Sequence, residues 1–182
     1  MTALARPIIS VEEYFELEKR SEVRHEFVDG RLIEMPGATR EHSDIVLNMV
    51  ETLRPVARAK GCELHAESII TLVRDDRYRY PDIVVSCAPG SDRRSIINPC
   101  FLAEVTSEST ADVDNGRKLE EYLSLASLER YAIISQASRF VVVFRRENGM
   151  RTFETFDGSG EFEIPCLGVS LSLDQIYANL EI

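Results

Sequence analysis

The sequence feature that most constrains the fold is a pair of short apolar runs, each interrupted by one carboxylate. The first run is Tyr80-Pro81-Asp82-Ile83-Val84-Val85 and the second is Phe101-Leu102-Ala103-Glu104-Val105-Thr106. Pro, Gly, Asp and Ser residues bound the runs, which is typical of buried β-strands. Side chains alternate between the faces of a strand, so two neighbouring strands could place Asp82 and Glu104 side by side at one end of a sheet. Two buried carboxylates repel each other, and a bound divalent cation is the natural way to offset that repulsion.

A positive charge is expected near this pair, on the helix that follows the second run. Lys118, Tyr122 and Leu125 are spaced by four and three residues, so they lie along one helix face. Leu119 and Leu123 belong to the adjoining apolar stripe. Lys118 therefore stands at the border of the core-facing side, where its ammonium group can reach the carboxylates.

Together these residues resemble the PD-(D/E)XK nuclease superfamily, and more closely its Uma2 (DUF820) group of bacterial endonucleases. Pro81-Asp82 followed by Glu104-Val105-Thr106 corresponds to the superfamily motif, except that the motif has lysine where this chain has Thr106. In the Uma2 group the lysine has moved onto the following helix, the place that Lys118 fills here. The resemblance extends from about Val11 to Arg146.

Two further stretches add to the resemblance. One is the N-terminal Glu26-Phe27-Val28-Asp29-Gly30, and the other runs from Ser107 through Asp114 to Tyr122. The Pro-Asp and Glu pair alone is a weak signal, whereas the combination with the displaced lysine and the downstream tyrosine is specific.

The resemblance implies an α/β fold, a restriction-endonuclease-like central mixed β-sheet flanked by α-helices, with an N-terminal β-hairpin. The hairpin also follows from the residues, because Asp29-Gly30 between alternating segments favours a type I′ turn. At 44% hydrophobic residues, positions 1–182 are expected to form one domain.

Capping residues predict where three helices begin. Ser10 with Glu13 forms a capping box, and Thr39 and Ser172 are suited to cap the first long helix and a short C-terminal helix. Pro55 lacks an N–H group and is expected to kink or end the first long helix.

The activity that the resemblance implies is hydrolysis of phosphodiester bonds in nucleic acid by a metal-dependent endonuclease. Asp82, Glu104 and the backbone carbonyl of Val105 would form an oxygen-only site that suits Mg²⁺ or Mn²⁺ better than Zn²⁺. Lys118 would hold the attacking water or offset charge on the phosphate oxygens. Tyr122 would orient Lys118 or donate to the phosphate.

Three other residues are candidates for the site, and each has a structural alternative. Glu26 matches a recurring glutamate of the Uma2 group and could bind the metal, or it could be an exposed strand carboxylate. His42 lies one turn before Val46 on a buried stripe, which suits either a hydrogen-bonded core residue or a catalytic residue. Glu41 is a weaker candidate of the same kind.

Three arginines precede the first carboxylate. Arg74, Arg77 and Arg79 could bind phosphate near Asp82, or they could form the charged end of a hairpin, which the sequence favours.

Two other functions compete with catalysis. The nuclease fold could survive as a catalytically silent binding or interaction module, or Lys118 could simply bridge Asp82 and Glu104 in a structural ion-pair network. The net charge of −10 slightly favours the silent module. The intact Asp, Glu and Lys set favours chemistry, because buried ion pairs seldom contribute much stability.

Composition limits partners and location. No apolar run approaches the eighteen residues of a membrane span, and the N-terminus lacks signal-peptide features, so we expect a cytoplasmic protein without membrane contact. The four cysteines match no metal or redox spacing and are expected to be buried, reduced thiols; they are Cys62, Cys87, Cys100 and Cys166. The resemblance implies DNA more than RNA as the partner, although the sequence has no base-readout motif and leaves the choice open. A homodimer would supply the two sites needed to cut both strands, although no residue identifies an interface.

Overall fold

The structure is a computed structural model that describes residues 8–35, 37–67, 70–74, 76–88, 90, 94–106, 114–147 and 150–182. The helices in these residues are α1 (Val11–Glu18), α2 (Arg40–Ala59), α3 (Asp114–Leu123) and α4 (Leu173–Ile176). The strands are β1 (His25–Val28), β2 (Arg31–Glu34), β3 (Glu63–Ala66), β4 (Ile70–Arg74), β5 (Arg77–Arg79), β6 (Ile83–Ser86), β7 (Ser95–Ile96), β8 (Phe101–Thr106), β9 (Arg130–Ser135), β10 (Phe140–Glu147), β11 (Met150–Asp157), β12 (Glu161–Ile164) and β13 (Val169–Ser172).

The larger sheet has six strands in the order β11-β10-β9-β8-β6-β3. Strands β8 and β9 pair in parallel and the other neighbours are antiparallel, so the sheet is mixed, as predicted. Its two faces belong to separate cores because successive side chains alternate. Ile83 and Ala103 share a core with Met49 of α2, whereas Leu102 shares one with Tyr122 of α3. The predicted α/β fold with helices on the sheet is confirmed.

A second sheet of five strands was not predicted. Its order is β2-β1-β5-β4-β7, and the expected hairpin forms one edge of it. The turn of this hairpin has the predicted conformation, because Asp29 and Gly30 have φ angles of 51° and 77°. Helix α1 covers the sheet through Tyr14, which stacks on Phe27 with ring centroids 5.0 Å apart.

Two connections carry the chain from one sheet to the other. The first leads from β3 of the larger sheet to β4 of the smaller. Glu67, with a φ of 47°, lies at the end of β3. Pro81-Asp82 makes the return crossing between β5 and β6. The candidate motif therefore lies at the seam between the sheets.

The three predicted caps are confirmed. The side chains of Ser10, Thr39 and Ser172 accept hydrogen bonds from backbone N–H groups three residues later. Pro55 does not end α2, since the helix continues to Ala59, and the alternative that Pro55 kinks the helix stays a prediction. Ala57 is fully buried in the main core, and this packing holds the last turn in place despite the missing N–H group.

The expectation of reduced thiols is also wrong. Cys62 is joined to Cys87, and Cys100 to Cys166, by disulfide bonds. The topology explains the first pair, because antiparallel pairing of β3 with β6 brings the residues that flank them to the same end of the sheet.

No helix in the described residues is both long and apolar enough to cross a membrane.

The turn between β11 and β12 provides a test of how closely Phe156 packs against Gly160, with Gly158 as the control. Gly158 and Gly160 both have positive φ, 72° and 124°, but only at Gly160 would a Cβ meet a neighbour, Cδ1 of Phe156 at 2.7 Å. We expect Gly158→Ala to lower the free energy of unfolding by about 1 kcal/mol for the backbone alone. Gly160→Ala should cost about 3 kcal/mol because the aromatic ring must also move. Urea unfolding of both variants measures the difference, and equal losses would contradict the packing.

Candidate active site

The two carboxylates of the sequence motif lie together at one end of β6 and β8. The antiparallel register pairs Ile83 with Ala103, so one further step places Asp82 opposite Glu104. Both residues are 7% exposed. The juxtaposition that the strand pattern predicted is therefore present.

Asp82 is held by hydrogen bonds to one of its oxygens. The backbone N–H of Val105 donates to Asp82 Oδ2 over 2.7 Å, and Nε2 of His42 lies 3.2 Å from the same oxygen. Nδ1 of His42 lies 3.3 Å from Oε1 of Glu67. Burial opposes the imidazolium, but the hydrogen bond and charge of Asp82 prevail and raise the pKa of His42. The imidazole of His42 therefore lies between two carboxylates, which raise its pKa above the ordinary value.

Glu104 is buried among groups of both signs. The hydroxyl of Tyr122 donates to Glu104 Oε1 over 2.8 Å, and Nζ of Lys118 lies 3.4 Å from the same oxygen. Burial, with the negative charge of Asp82, raises the pKa of Glu104 to about 7, although Lys118 acts in the opposite direction. The ammonium group of Lys118 therefore does not bring the pKa of Glu104 back to its ordinary value, and an additional cation would lower it further.

Lys118 occupies the place expected of the displaced lysine. Its Nζ lies 2.9 Å from Oε1 of Glu26, in addition to its contact with Glu104. Burial disfavours the ammonium form, but Glu104 and Glu26 together raise the pKa of Lys118 above its ordinary value. Lys118 is therefore a permanent cation at neutral pH. Tyr122 contacts Glu104, rather than Lys118 as the sequence suggested.

A buried arginine that sequence reasoning had interpreted differently supports this arrangement. Arg79 is fully buried, and its guanidinium donates to Glu26 Oε2 over 2.6 Å and to Glu121 Oε2 over 2.8 Å. The exposed alternative for Glu26 is wrong, because Glu26 is only 3% exposed. Burial of Arg79 also excludes it from binding phosphate.

The neighbouring arginines form ion pairs at the hairpin end, as the sequence favoured. Nη1 of Arg77 donates to Glu121 Oε1 over 2.6 Å, and its Nε donates to Asp29 over 3.0 Å. Nε of Arg74 donates to Asp76 over 2.9 Å. These guanidinium groups are engaged by carboxylates of the same chain.

Sequence analysis missed Glu67, Glu121 and Tyr131. Glu67 belongs to a set of ligand atoms with His42 and Asp82 that all lie within 4.8 Å of one another. The hydroxyl of Tyr131 is buried without a hydrogen-bond partner among the described residues, and burial together with the charge of Glu104 raises its pKa. Only Glu121 had a usable signal, since it lies four residues after Arg117, with which it pairs over 3.2 Å. Glu41 is exposed.

The site has the donors that a hard divalent cation requires. Asp82 and Glu104 supply carboxylate oxygens, which suit Mg²⁺ and Mn²⁺. Glu26 has one oxygen beside Lys118 and the other beside Arg79, so its contacts favour positioning Lys118, and its role as a metal ligand stays a prediction. Residues 107–113 and the side chain of Asp114, part of the sequence pattern, lie outside the described residues.

Replacing Arg79 tests whether its carboxylate contacts are structural. Arg79→Gln leaves Glu26 and Glu121 without their buried cation, so we expect the free energy of unfolding to fall by about 3–5 kcal/mol in urea denaturation. The matched control is Arg74→Gln, because the side chain of Arg74 is 52% exposed. Loss of that surface pair should change stability by about 0.5 kcal/mol. Similar small effects in both variants would contradict the role of Arg79.

Comparison with known proteins places this site in a family. A family model described as "Uma2: Putative restriction endonuclease" matches residues 11–175. The uncharacterized protein slr1290 of Synechocystis is 30% identical over 179 residues, which cover 96% of this chain and 94% of that protein. The Synechocystis protein sll1609, also uncharacterized, is 25% identical over 141 residues, covering 75% and 80%.

A solved structure shares the fold. The crystal structure of "a putative nuclease belonging to DUF820" from Anabaena variabilis superimposes with a TM-score of 0.75 at 20% identity, covering 93% of this chain and 98% of that one. The family match spans nearly the whole chain, and the resemblance recognised in the sequence is confirmed: the chain belongs to the Uma2 family.

Proposed function

We propose that this protein is a Mg²⁺- or Mn²⁺-dependent endonuclease that hydrolyses phosphodiester bonds, with DNA as the preferred substrate. The observation that supports this most directly is the burial of Asp82 opposite Glu104 with Lys118 3.4 Å from Glu104. The family description, and the description of the Anabaena protein as a putative nuclease, agree with the proposal.

Asp82, Glu104 and the backbone carbonyl of Val105 would hold the metal. The contacts of the described residues use Oδ2 of Asp82 and Oε1 of Glu104, so we assign Oδ1 and Oε2 to the cation. A bound Mg²⁺ or Mn²⁺ would act as a Lewis acid on the scissile phosphate and lower the pKa of the attacking water. Tyr122 would fix the orientation of Glu104, because its hydroxyl donates to that carboxylate.

Lys118 would act by charge rather than as a base. Its raised pKa keeps the ammonium protonated, so it can stabilise negative charge developing on the phosphate oxygens. Glu26 and Arg79 would hold the lysine in place, since Glu26 bridges the two cations. His42 would position Asp82 through its 3.2 Å contact with Oδ2.

The substrate preference follows from the proposed chemistry together with the family description. An endonuclease of the restriction type acts on DNA, which is why DNA is proposed ahead of RNA.

A homodimer would place two such sites on one duplex. The cleavage products distinguish the two cases, because a monomer would nick supercoiled plasmid and a dimer would convert it directly to the linear form.

The deciding experiment is cleavage of supercoiled plasmid, single-stranded DNA and RNA by the full chain with Mg²⁺, Mn²⁺ or EDTA. Glu104→Gln should abolish cleavage together with Mn²⁺ binding. Lys118→Met should retain Mn²⁺ binding and slow cleavage by about 100- to 1000-fold, the range found when one preorganised charge is removed from a transition state.

The matched control for Lys118→Met is Lys19→Met at the C-cap of α1, where an exposed lysine pairs with Glu16. It should cut at the parental rate. Cleavage by Lys118→Met as fast as by the parent would refute the role of Lys118. Neither cleavage nor Mn²⁺ binding by the parent would refute the endonuclease proposal in favour of a catalytically silent nuclease-fold module.

Metal binding should depend on pH through Glu104. The folded protein holds a proton on this carboxyl below about pH 7, and a metal ligand must be deprotonated. We therefore expect Mn²⁺ affinity, measured by calorimetry, to rise as the pH increases through about 7. Lys118 lowers the pKa of Glu104, so Lys118→Met should move the midpoint of this rise to higher pH. An affinity that is flat between pH 6 and 8, a window of about one unit on either side of that pKa, would contradict the assignment.

A further inference from the structure

The four cysteines meet at the end of the larger sheet opposite the candidate active site. Cys62 precedes β3 and Cys87 follows β6, which are antiparallel neighbours. Cys100 precedes β8, and its N–H donates to the carbonyl of Val85 over 2.8 Å. Cys166 comes from the turn between β12 and β13. The four residues of β6 lie between Asp82 and Cys87, so five residue steps separate this end from Asp82, a distance of about 16 Å.

The two disulfides adjoin each other, because three of the four sulfur atoms lie together and the fourth, that of Cys62, is attached to them through its bond to Cys87. Sγ of Cys87 lies 3.9 Å from Sγ of Cys100, although these two residues belong to different disulfides. The sulfur atoms of Cys87, Cys100 and Cys166 all lie within 4.8 Å of one another. Two disulfides that crosslink separate segments have no need to touch, whereas four ligands of one ion must converge.

We propose that this cluster is a second metal site, which binds one Zn²⁺ ion through four thiolates in the reduced protein, and that the two disulfides are its oxidised form. Zinc–sulfur bonds of about 2.3 Å in a tetrahedron place the sulfur atoms about 3.8 Å apart. The contact between Cys87 and Cys100 already has that spacing. The ligands come from four segments rather than from short Cys-containing motifs, which is why their spacing in the sequence gave no signal.

A positively charged side chain lies close to the cluster. Nζ of Lys60 lies 2.8 Å from the point that a Cβ on Gly168 would occupy, two residues after Cys166. An ion with four thiolate ligands carries a net charge of −2, which a nearby ammonium group offsets. Cys62 and Cys100 are buried and Cys87 is exposed, so the cluster has a covered interior and an open side from which an ion can enter.

Conversion of the two disulfides to the zinc-bound form requires only a dithiol as reductant and the ion. Each disulfide accepts two electrons and two protons from a dithiol, which becomes a disulfide itself. The four thiols then bind Zn²⁺ and release four protons. Thiolates select soft ions such as Zn²⁺, whereas the carboxylates at the opposite end select Mg²⁺ or Mn²⁺, so the two sites do not compete.

The test is titration of Co²⁺, a spectroscopic substitute for Zn²⁺, into the full chain reduced with a phosphine under nitrogen. We expect one ion per chain, with a sulfur-to-cobalt charge-transfer band and the visible bands of tetrahedral cobalt, all removed by one equivalent of Zn²⁺. Absence of the charge-transfer band in the reduced, folded protein would overturn the proposal.

Variants show which residues hold the ion. Cys87→Ser and Cys166→Ser should lose the charge-transfer band. His65→Ala should keep it, because His65 is the histidine nearest in the sequence to Cys62 and would be the ligand of an adventitious ion. Asp82→Asn should also keep the band, which separates this site from the proposed nuclease metal. A band lost in His65→Ala and retained in Cys87→Ser would overturn the assignment.

Thiol counting in the parent keeps the test valid if the cysteine variants fail to fold. The chain has only four cysteines. In the reduced, folded protein all four should react with a thiol reagent after chelation of metal, and all four should be protected in the presence of one equivalent of Zn²⁺. Four reactive thiols in the presence of Zn²⁺ would overturn the proposal, whatever the outcome of the cleavage assays.

Discussion

The buried ion pairs of Arg79 connect the parts of the protein that build the candidate site. Arg79 lies on β5 and Glu26 on β1, both in the smaller sheet, whereas Glu121 lies on α3. Through Lys118, which contacts both Glu26 and Glu104, the chain of charges continues into the larger sheet. Buried ion pairs seldom add net stability, because desolvation offsets their attraction. Their effect here is on position, because Lys118 cannot move away without leaving the buried Glu104 carboxylate short of a cation.

The seam between the sheets explains why the carboxylate pair forms where it does. Tyr80 belongs to the aromatic core of the smaller sheet and Ile83 to the main core, so the two residues between them must bridge two cores. Proline is tolerated at this crossing because it lies outside both ladders. The backbone carbonyl of Asp82 accepts from Glu67, and its side chain accepts from Val105. Asp82 is therefore fixed from both sides, and under the proposed function this would give the metal ligand its rigidity.

Local patterns in the sequence predicted the helices and strands. They also predicted those parts of the candidate site whose positions follow from a single strand or helix. Two-residue alternation in the two apolar runs was enough to place Asp82 beside Glu104, because one antiparallel register satisfies both runs. The helical spacing of Lys118, Tyr122 and Leu125 was likewise enough to place Lys118 at the border of the core-facing side of α3. Caps were predictable because they involve residues three apart.

Features that depend on distant pairing were not predictable. Arg79 resembled its exposed neighbours in sequence, and only the pairing of β1 with β5 puts Glu26 within its reach. The cysteine partners are 25 and 66 residues apart and meet only once the strand order is known. Pro55 does not end α2, because core packing of Ala57 outweighs the local preference of proline to end a helix. In each case tertiary contacts outweighed a local rule.

The charge of the protein limits how nucleic acid can be bound under the proposed function. A net charge of −10 repels phosphate, but at physiological ionic strength this repulsion is screened beyond about 8 Å. Groups within that distance of the scissile bond therefore decide the affinity. Arg74, Arg77 and Arg117 all contact Asp29, so these cations already have carboxylate partners. Among the described residues of the site, attraction would then come from Lys118 and from a cation on the carboxylate pair, which would make nucleic-acid binding itself depend on the metal.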